Sequence, residues 1–94
     1  MKEFKGTPGP WFEHREGFSM VYIEARIGGG VIQEVAACGP CDKGSEQQQA
    51  NAKLIAAAPE LLEALINMVD IVDDMVYGPS TDAANAAINK ALGE

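Results

Sequence analysis

The sequence predicts an α+β fold: a three-stranded antiparallel meander followed by two or three C-terminal helices packed on one face. Three observations carry this. Ser19 to Ile27 alternates, with Val21, Ile23, Ala25 and Ile27 on one side and Tyr22, Glu24 and Arg26 on the other, the period-two pattern of a strand covered on one face. Gly28-Gly29-Gly30 follows and supplies the positive-φ positions of a hairpin turn. From Leu61 onward the apolar residues recur instead at steps of three and four, through Leu65, Met68, Val72 and Met75, the spacing of an amphipathic helix.

Taken in order, Trp11-Phe12-Glu13-His14 is a short first strand after Pro10, closed by a polar turn around Arg15-Glu16-Gly17. The alternating segment is the second strand. Val31 to Ala37 returns as the third, with Val31, Val35 and Ala37 on the covered side and Gln33 as a polar exception. Three strands with one apolar face need a helix to cover them. Ser45 followed by Gln48 has capping-box spacing, which places a helix start there. Pro59 cannot continue that helix but suits the first turn of a new one, with Glu60 and Glu63 favourable near its positive end. The second helix is expected to run to about Tyr77 and to stop at Gly78-Pro79. Its opposite stripe is Glu63, Asn67, Asp70 and Asp74, while Leu62, Ile66, Val69, Ile71 and Val76 widen the apolar face. Thr81 caps a last short helix through Leu92, closed by Gly93.

At 94 residues the chain reads as a single domain, residues 1–44 forming the meander and 45–94 the helical part. A chain this short buries a modest share of its surface, yet 47% of it is hydrophobic. The surplus on the second helix points to a homo-oligomer, with Leu65, Met68, Val72 and Met75 at the interface. The opening Met1 to Gly6 has no apolar core segment, so no signal peptide is expected, and no apolar run is long enough to span a membrane.

The net charge of −7 is uneven. Residues 1–45 hold five basic and six acidic side chains, whereas residues 46–94 hold Lys53 and Lys90 against eight acids. Such a body repels duplex nucleic acid, whose binding rests on Lys and Arg at the phosphates. A small anion is different, because a few charge-assisted bonds from Arg15 or Arg26 suffice to hold it.

No catalytic constellation emerges. Cys38-Gly39-Pro40-Cys41 matches the dithiol frame of thioredoxins, but the strands such a fold needs after the motif are missing, since everything downstream reads as helix. The pair is also half a zinc site, with His14 as the one histidine and Asp42 or a neighbouring subunit as the remaining candidate ligand. The simpler reading is a tight turn with two reduced thiols, without metal or other cofactor. Ser19, Ser45 and Ser80 have no evident base. Gly28-Gly29-Gly30 lacks the Lys-Ser/Thr of a phosphate loop. Asp70, Asp73 and Asp74 are read as solvated rather than as cation ligands.

Two motifs are more specific. Thr7-Pro8-Gly9-Pro10-Trp11 fixes a rigid turn that delivers Trp11 to a set position, and Asn51-Ala52-Lys53-Leu54-Ile55-Ala56-Ala57-Ala58-Pro59-Glu60-Leu61-Leu62 spans the junction of two helices. Together they resemble a widespread family of small proteins encoded in bacteriophages and prophages. Its members open on Thr-Pro-Gly-Pro-Trp, continue into a short meander, and carry the same helical segment with Arg or Lys at the position of Lys53. The resemblance covers about residues 5–66. The cysteine pair and the tail from Asp70 lie outside its pattern.

That resemblance implies a phage accessory protein working in the host cell cytoplasm. Genes of this kind include inhibitors of bacterial immunity, which gives two functional expectations. One is a non-enzymatic, oligomeric sponge that sequesters a nucleotide-derived immune signal. Trp11, Phe12 or Tyr22 would stack on a base and His14, Arg15 or Arg26 would hold a phosphate; the simpler reading of Trp11 is an anchor of the sheet against the helix. The other is a protein–protein inhibitor of a host immune effector, similar to an anti-CRISPR, using an acidic helical surface. A dithiol redox protein is the remote third.

Overall fold

In the computed structural model, which describes residues 3–17 and 19–93, three strands, β1 (Trp11–Glu16), β2 (Met20–Arg26) and β3 (Ile32–Cys38), form one antiparallel sheet in the order β1-β2-β3. Three helices follow: α1 (Ser45–Ala56), α2 (Ala58–Asp73) and α3 (Asp82–Leu92). The α+β class and the meander are as the sequence predicts. Met1, Lys2, Phe18 and Glu94 lie outside the described residues.

β2 is the central strand, and Val21, Ile23 and Ala25 on its covered side are buried, as the alternation requires. β1 runs two residues further than expected. Arg15 pairs with Val21 and Glu16 with Met20, so both belong to the strand and the turn begins at Gly17. The β2–β3 turn holds Gly28, Gly29 and Gly30, all at positive φ. Beside it Ile27, expected on the covered side, falls outside the strand and is exposed.

β3 departs most from expectation. Ile23 pairs with Ala36 but Glu24 pairs with Glu34, which leaves Val35 as an extra residue. A bulge of this kind shifts the side-chain alternation by one. Ala36 and Cys38 therefore pack against the core, Val35 is half-buried, and Val31 and Ala37 are exposed.

α1 lies against all three strands. Its inward face is Gln48, Ala52, Ile55 and Ala56, and Val21, Ile23, Cys38 and Ala52 form the buried cluster beneath it. Ala52 is fully enclosed between the helix and the sheet cluster. The expected capping box is displaced. Gly44, not Ser45, is the N-cap, no side chain caps the helix, and Gln47 Oε1 accepts from the Lys43 backbone N–H at 3.2 Å. Gln48 is drawn inward instead, toward carbonyls of the sheet.

Gly44 has φ 83 and ψ −162, a backbone conformation nearly confined to glycine. A Cβ there would meet nothing within 4 Å, so Gly44→Ala tests backbone strain alone. It is expected to lower stability by about 1–2 kcal/mol, measured by urea unfolding.

α1 stops at Ala56, since Pro59 has no N–H to return to Ile55; the Ala57 N–H closes the turn on Lys53 O at 3.1 Å, and Ala58 already opens α2. α2 ends at Asp73, short of the expected Tyr77. Asp70, Asp73 and Asp74 crowd its negative end with no basic residue in the last turn, the unfavourable polarity for a helix dipole. The chain then folds back, the Met75 N–H bonding to Val72 O at 3.0 Å. A Cβ on Gly78 would come within 2.9 Å of that same carbonyl, so only glycine fits. Thr81 Oγ1 donates to Asp73 Oδ1 at 3.0 Å and accepts from Asn85 Nδ2 at 3.2 Å. α3 begins after Thr81, which holds the N-cap position without a side-chain capping bond, and closes on left-handed Gly93.

The chain divides into two compact units. One is Thr7–Pro59, containing the sheet and α1; the other comprises the described residues of Met1–Gly6 and Glu60–Glu94. Val69 of α2 and Ile88 of α3 are buried. Among the described residues no helix is long and apolar enough to cross a membrane.

Candidate functional site

Pleating sorts the side chains of β1 and β2 onto two faces. Trp11 pairs with Ala25, Glu13 with Ile23 and Arg15 with Val21, so these β1 residues share the face covered by α1. Phe12 pairs with Glu24 and His14 with Tyr22, which places Phe12, His14, Tyr22, Glu24 and Arg26 on the opposite face. The five residues proposed from sequence as ligand contacts are thereby divided. His14, Tyr22 and Arg26 come together; Trp11 and Arg15 turn to the other side.

Both residues on the helix side hold the fold. Trp11 packs on the buried cluster, and its Nε1 donates to Thr7 O at 3.0 Å, four residues back. Thr7 Oγ1 donates in turn to Gln33 Oε1 on β3, and the Gly9–Pro10 peptide between Thr7 and Trp11 is cis. Arg15 Nη2 donates to Gln48 Oε1 at 3.3 Å. Gln48 Nε2 donates to Ser19 O and Cys38 O, each at 2.9 Å. One buried amide thus ties β1, the start of β2 and the end of β3 to α1. Capping-box spacing predicts a cap at Gln48, and the structure makes it an internal tie instead. Its spacing to Ala52, Ile55 and Ala56 was the available signal for an inward side chain.

On the outer face the Arg26 guanidinium lies 5.0 Å from the Phe12 ring centroid, a cation–π distance. His14 Nδ1 is 3.2 Å from Glu24 Oε1. That oxygen is shut off from solvent and has no well-aligned hydrogen bond among the described residues. The two side chains are thus close without hydrogen-bond alignment. His14 itself is half exposed. Phe12 and Tyr22 are half-buried and Arg26 is exposed. This face therefore offers two aromatic rings, an exposed guanidinium and an imidazole on adjacent strands.

A separate cavity of about 460 Å³ opens where β3 leaves the sheet, lined by Cys38, Gly39, Pro40, Cys41, Asn51, Leu54 and Ile55. Both cysteines are free thiols, Cys38 buried and Cys41 half-buried. Asn51 Nδ2 donates to Cys41 Sγ at 3.6 Å, and the Cys41 thiol lies 3.7 Å from Gly39 O. Among the described residues no three His, Cys, Asp or Glu side chains gather as metal ligands would.

The four residues proposed for an oligomer interface are also separated. Leu65 and Val72 are half-buried on the side of α2 that carries Val69, whereas Met68 is exposed. Met75 lies beyond the end of the helix and is exposed. At 100° per residue the outward side of α2 splits lengthwise. One strip is apolar, with Leu61, Ala64, Met68 and Ile71; the other is polar, with Glu60, Glu63, Asn67 and Asp70. α2 contains no lysine or arginine.

No curated protein and no solved structure matches this chain. The family model described as Salmonella phage P22 protein Y8K6 matches residues 1–94, the full length, and the chain belongs to that phage protein family.

Proposed function

We propose that this phage protein is a binding protein rather than an enzyme, acting in counter-defence as an oligomeric sponge for a nucleotide-derived immune signal. The observation that carries the reading is the outer face of the sheet, where His14, Tyr22 and Arg26 share one surface with Phe12. Aromatic rings accept a stacked base, and the exposed Arg26 guanidinium suits a phosphate, while His14, at the other end of the face, is engaged by Glu24. The chain's charge of −7 disfavours long nucleic acid, but a small ligand with one to three phosphates needs only a few such bonds. In a homo-oligomer the apolar strip of α2 is covered by a second copy, which brings a second Arg26 to the assembly.

Calorimetry with cyclic di- and trinucleotides and cyclic ADP-ribose isomers tests this. One ligand class is expected to bind, with Arg26→Ala and Tyr22→Ala each weakening it about tenfold or more. Arg15→Ala, on the opposite face, should leave the affinity unchanged. Light scattering should show an oligomer at micromolar concentration, and Met68→Glu, at an exposed position, should dissociate it without unfolding.

A second reading is favoured by α2 itself. An apolar strip beside an acidic one, with no basic residue on the helix, suits a protein–protein inhibitor that docks on the basic nucleic-acid-binding surface of a host immune effector. No binding across the nucleotide panel, together with capture of a host protein that Met68→Glu abolishes, would select this reading over the first.

A further inference from the structure

The cysteine pair has no part in either reading. Three observations bring it forward. Cys38 and Cys41, separated by Gly39-Pro40, line the same cavity. They differ in access, since Cys38 is 8% exposed and packs in the core, whereas Cys41 is half-buried at the cavity wall. Cys41 Sγ is also held in place: it receives a hydrogen bond from Asn51 Nδ2 and points back toward Gly39 O, the residue that follows Cys38. The remaining wall is largely apolar, from Pro40, Leu54 and Ile55. The cavity's volume of about 460 Å³ falls within the roughly 300–1,000 Å³ of small-molecule sites.

We propose that this cavity is a thiol–disulfide exchange site, in which Cys41 is the attacking sulfur, Cys38 the resolving one, and the co-reactant a small uncharged disulfide. The Cys41 thiol loses its proton, and the thiolate attacks one sulfur of the disulfide. A Cys41–sulfur bond forms, the original sulfur–sulfur bond breaks, and the leaving thiolate takes up a proton. Cys38, deprotonated in turn, attacks Cys41 Sγ and expels the second half as a thiol. Two protein thiols are oxidised to one disulfide and one small disulfide is reduced to two thiols. The exchange is stoichiometric in the protein and stops there unless a reductant restores the pair. Asn51 positions Cys41 by its hydrogen bond, and the apolar wall selects an uncharged co-reactant over a charged one.

The test uses the reduced full-length chain, bis(2-hydroxyethyl) disulfide as the uncharged probe, oxidised glutathione as the charged one, and intact-mass detection. The wild type is expected to lose two hydrogens, faster with the uncharged probe. Cys38→Ala should accumulate a mixed disulfide at Cys41, and Asn51→Ala should form the adduct several-fold more slowly. Brief alkylation of the native wild type, which requires no variant to fold, should label Cys41 at least tenfold faster than Cys38. Preferential labelling of Cys38, or a wild type that stays reduced with both probes, would overturn the assignment.

Discussion

Ile23→Ala is expected to lower the stability of the sheet unit by about 3–4 kcal/mol. Ile23 is fully buried on the central strand, in a cluster with Val21, Cys38 and Ala52 that Trp11, Val35, Ala36, Ile55 and Ala56 complete. Strands on either side and a helix above hold the site, so the cavity left by the side chain cannot collapse freely. A loss of this size is a large fraction of the roughly 5–15 kcal/mol that holds a typical domain together. Urea unfolding followed by the fluorescence of the single tryptophan measures it, because Trp11 packs on this cluster. Ile27→Ala is the internal control. Ile27 continues the same alternation but is exposed, and its loss should cost at most about 0.5 kcal/mol. Equal effects at the two positions would mean that the strand does not end at Arg26.

Gln48→Leu comes next, with an expected loss of about 2–3 kcal/mol. Leucine nearly fills the volume but leaves the carbonyls of Cys38 and Ser19 without the amide that bonds to each at 2.9 Å. It also leaves Arg15 without its acceptor. The Cys38 carbonyl is the buried one, so most of the cost should come from it. Gln48→Glu separates donor loss from shape. An ionised carboxylate keeps the acceptor for Arg15, which favours the charged form, but offers no donor to either carbonyl. Burial against those two carbonyl oxygens, which only a protonated carboxyl can serve, raises its pKa in the folded state. A group whose pKa is raised on folding stabilises at low pH and loses that contribution as pH rises through the folded value. The stability deficit of Gln48→Glu relative to wild type should therefore shrink on acidification, whereas that of Gln48→Leu should not.

Local pattern carried the fold class. Period-two alternation at Val21, Ile23 and Ala25, the glycine turn at 28–30, the proline at 59 and the pair Thr81 and Gly93 each act through nearest neighbours in the chain. Each reappears in the structure at or near its expected place. The candidate site was legible only in its residue types. His14, Tyr22 and Arg26 were recognisable as ligand chemistry, and pairing of β1 with β2 is what placed them on one face and sent Trp11 and Arg15 to the other.

What the sequence by itself determined, then, is where the chain turns, which segments extend or coil, and which chemical groups are present. The tertiary structure decided three further things. The bulge at Val35 exchanged Ala37 for Ala36 and Cys38 in the core, because register is a property of two strands and neither one states it alone. Gln48 became an internal tie instead of a cap, because its partners lie 29 and 10 residues away and become neighbours only when α1 lies on the sheet. α2 ended at Asp73 rather than Tyr77, because the apolar period through Met75 competes with acids at the helix end and with the return of the chain over Val72. In each case the deciding energy is a contact between residues distant in sequence, or a balance of opposing local terms, and periodicity encodes neither.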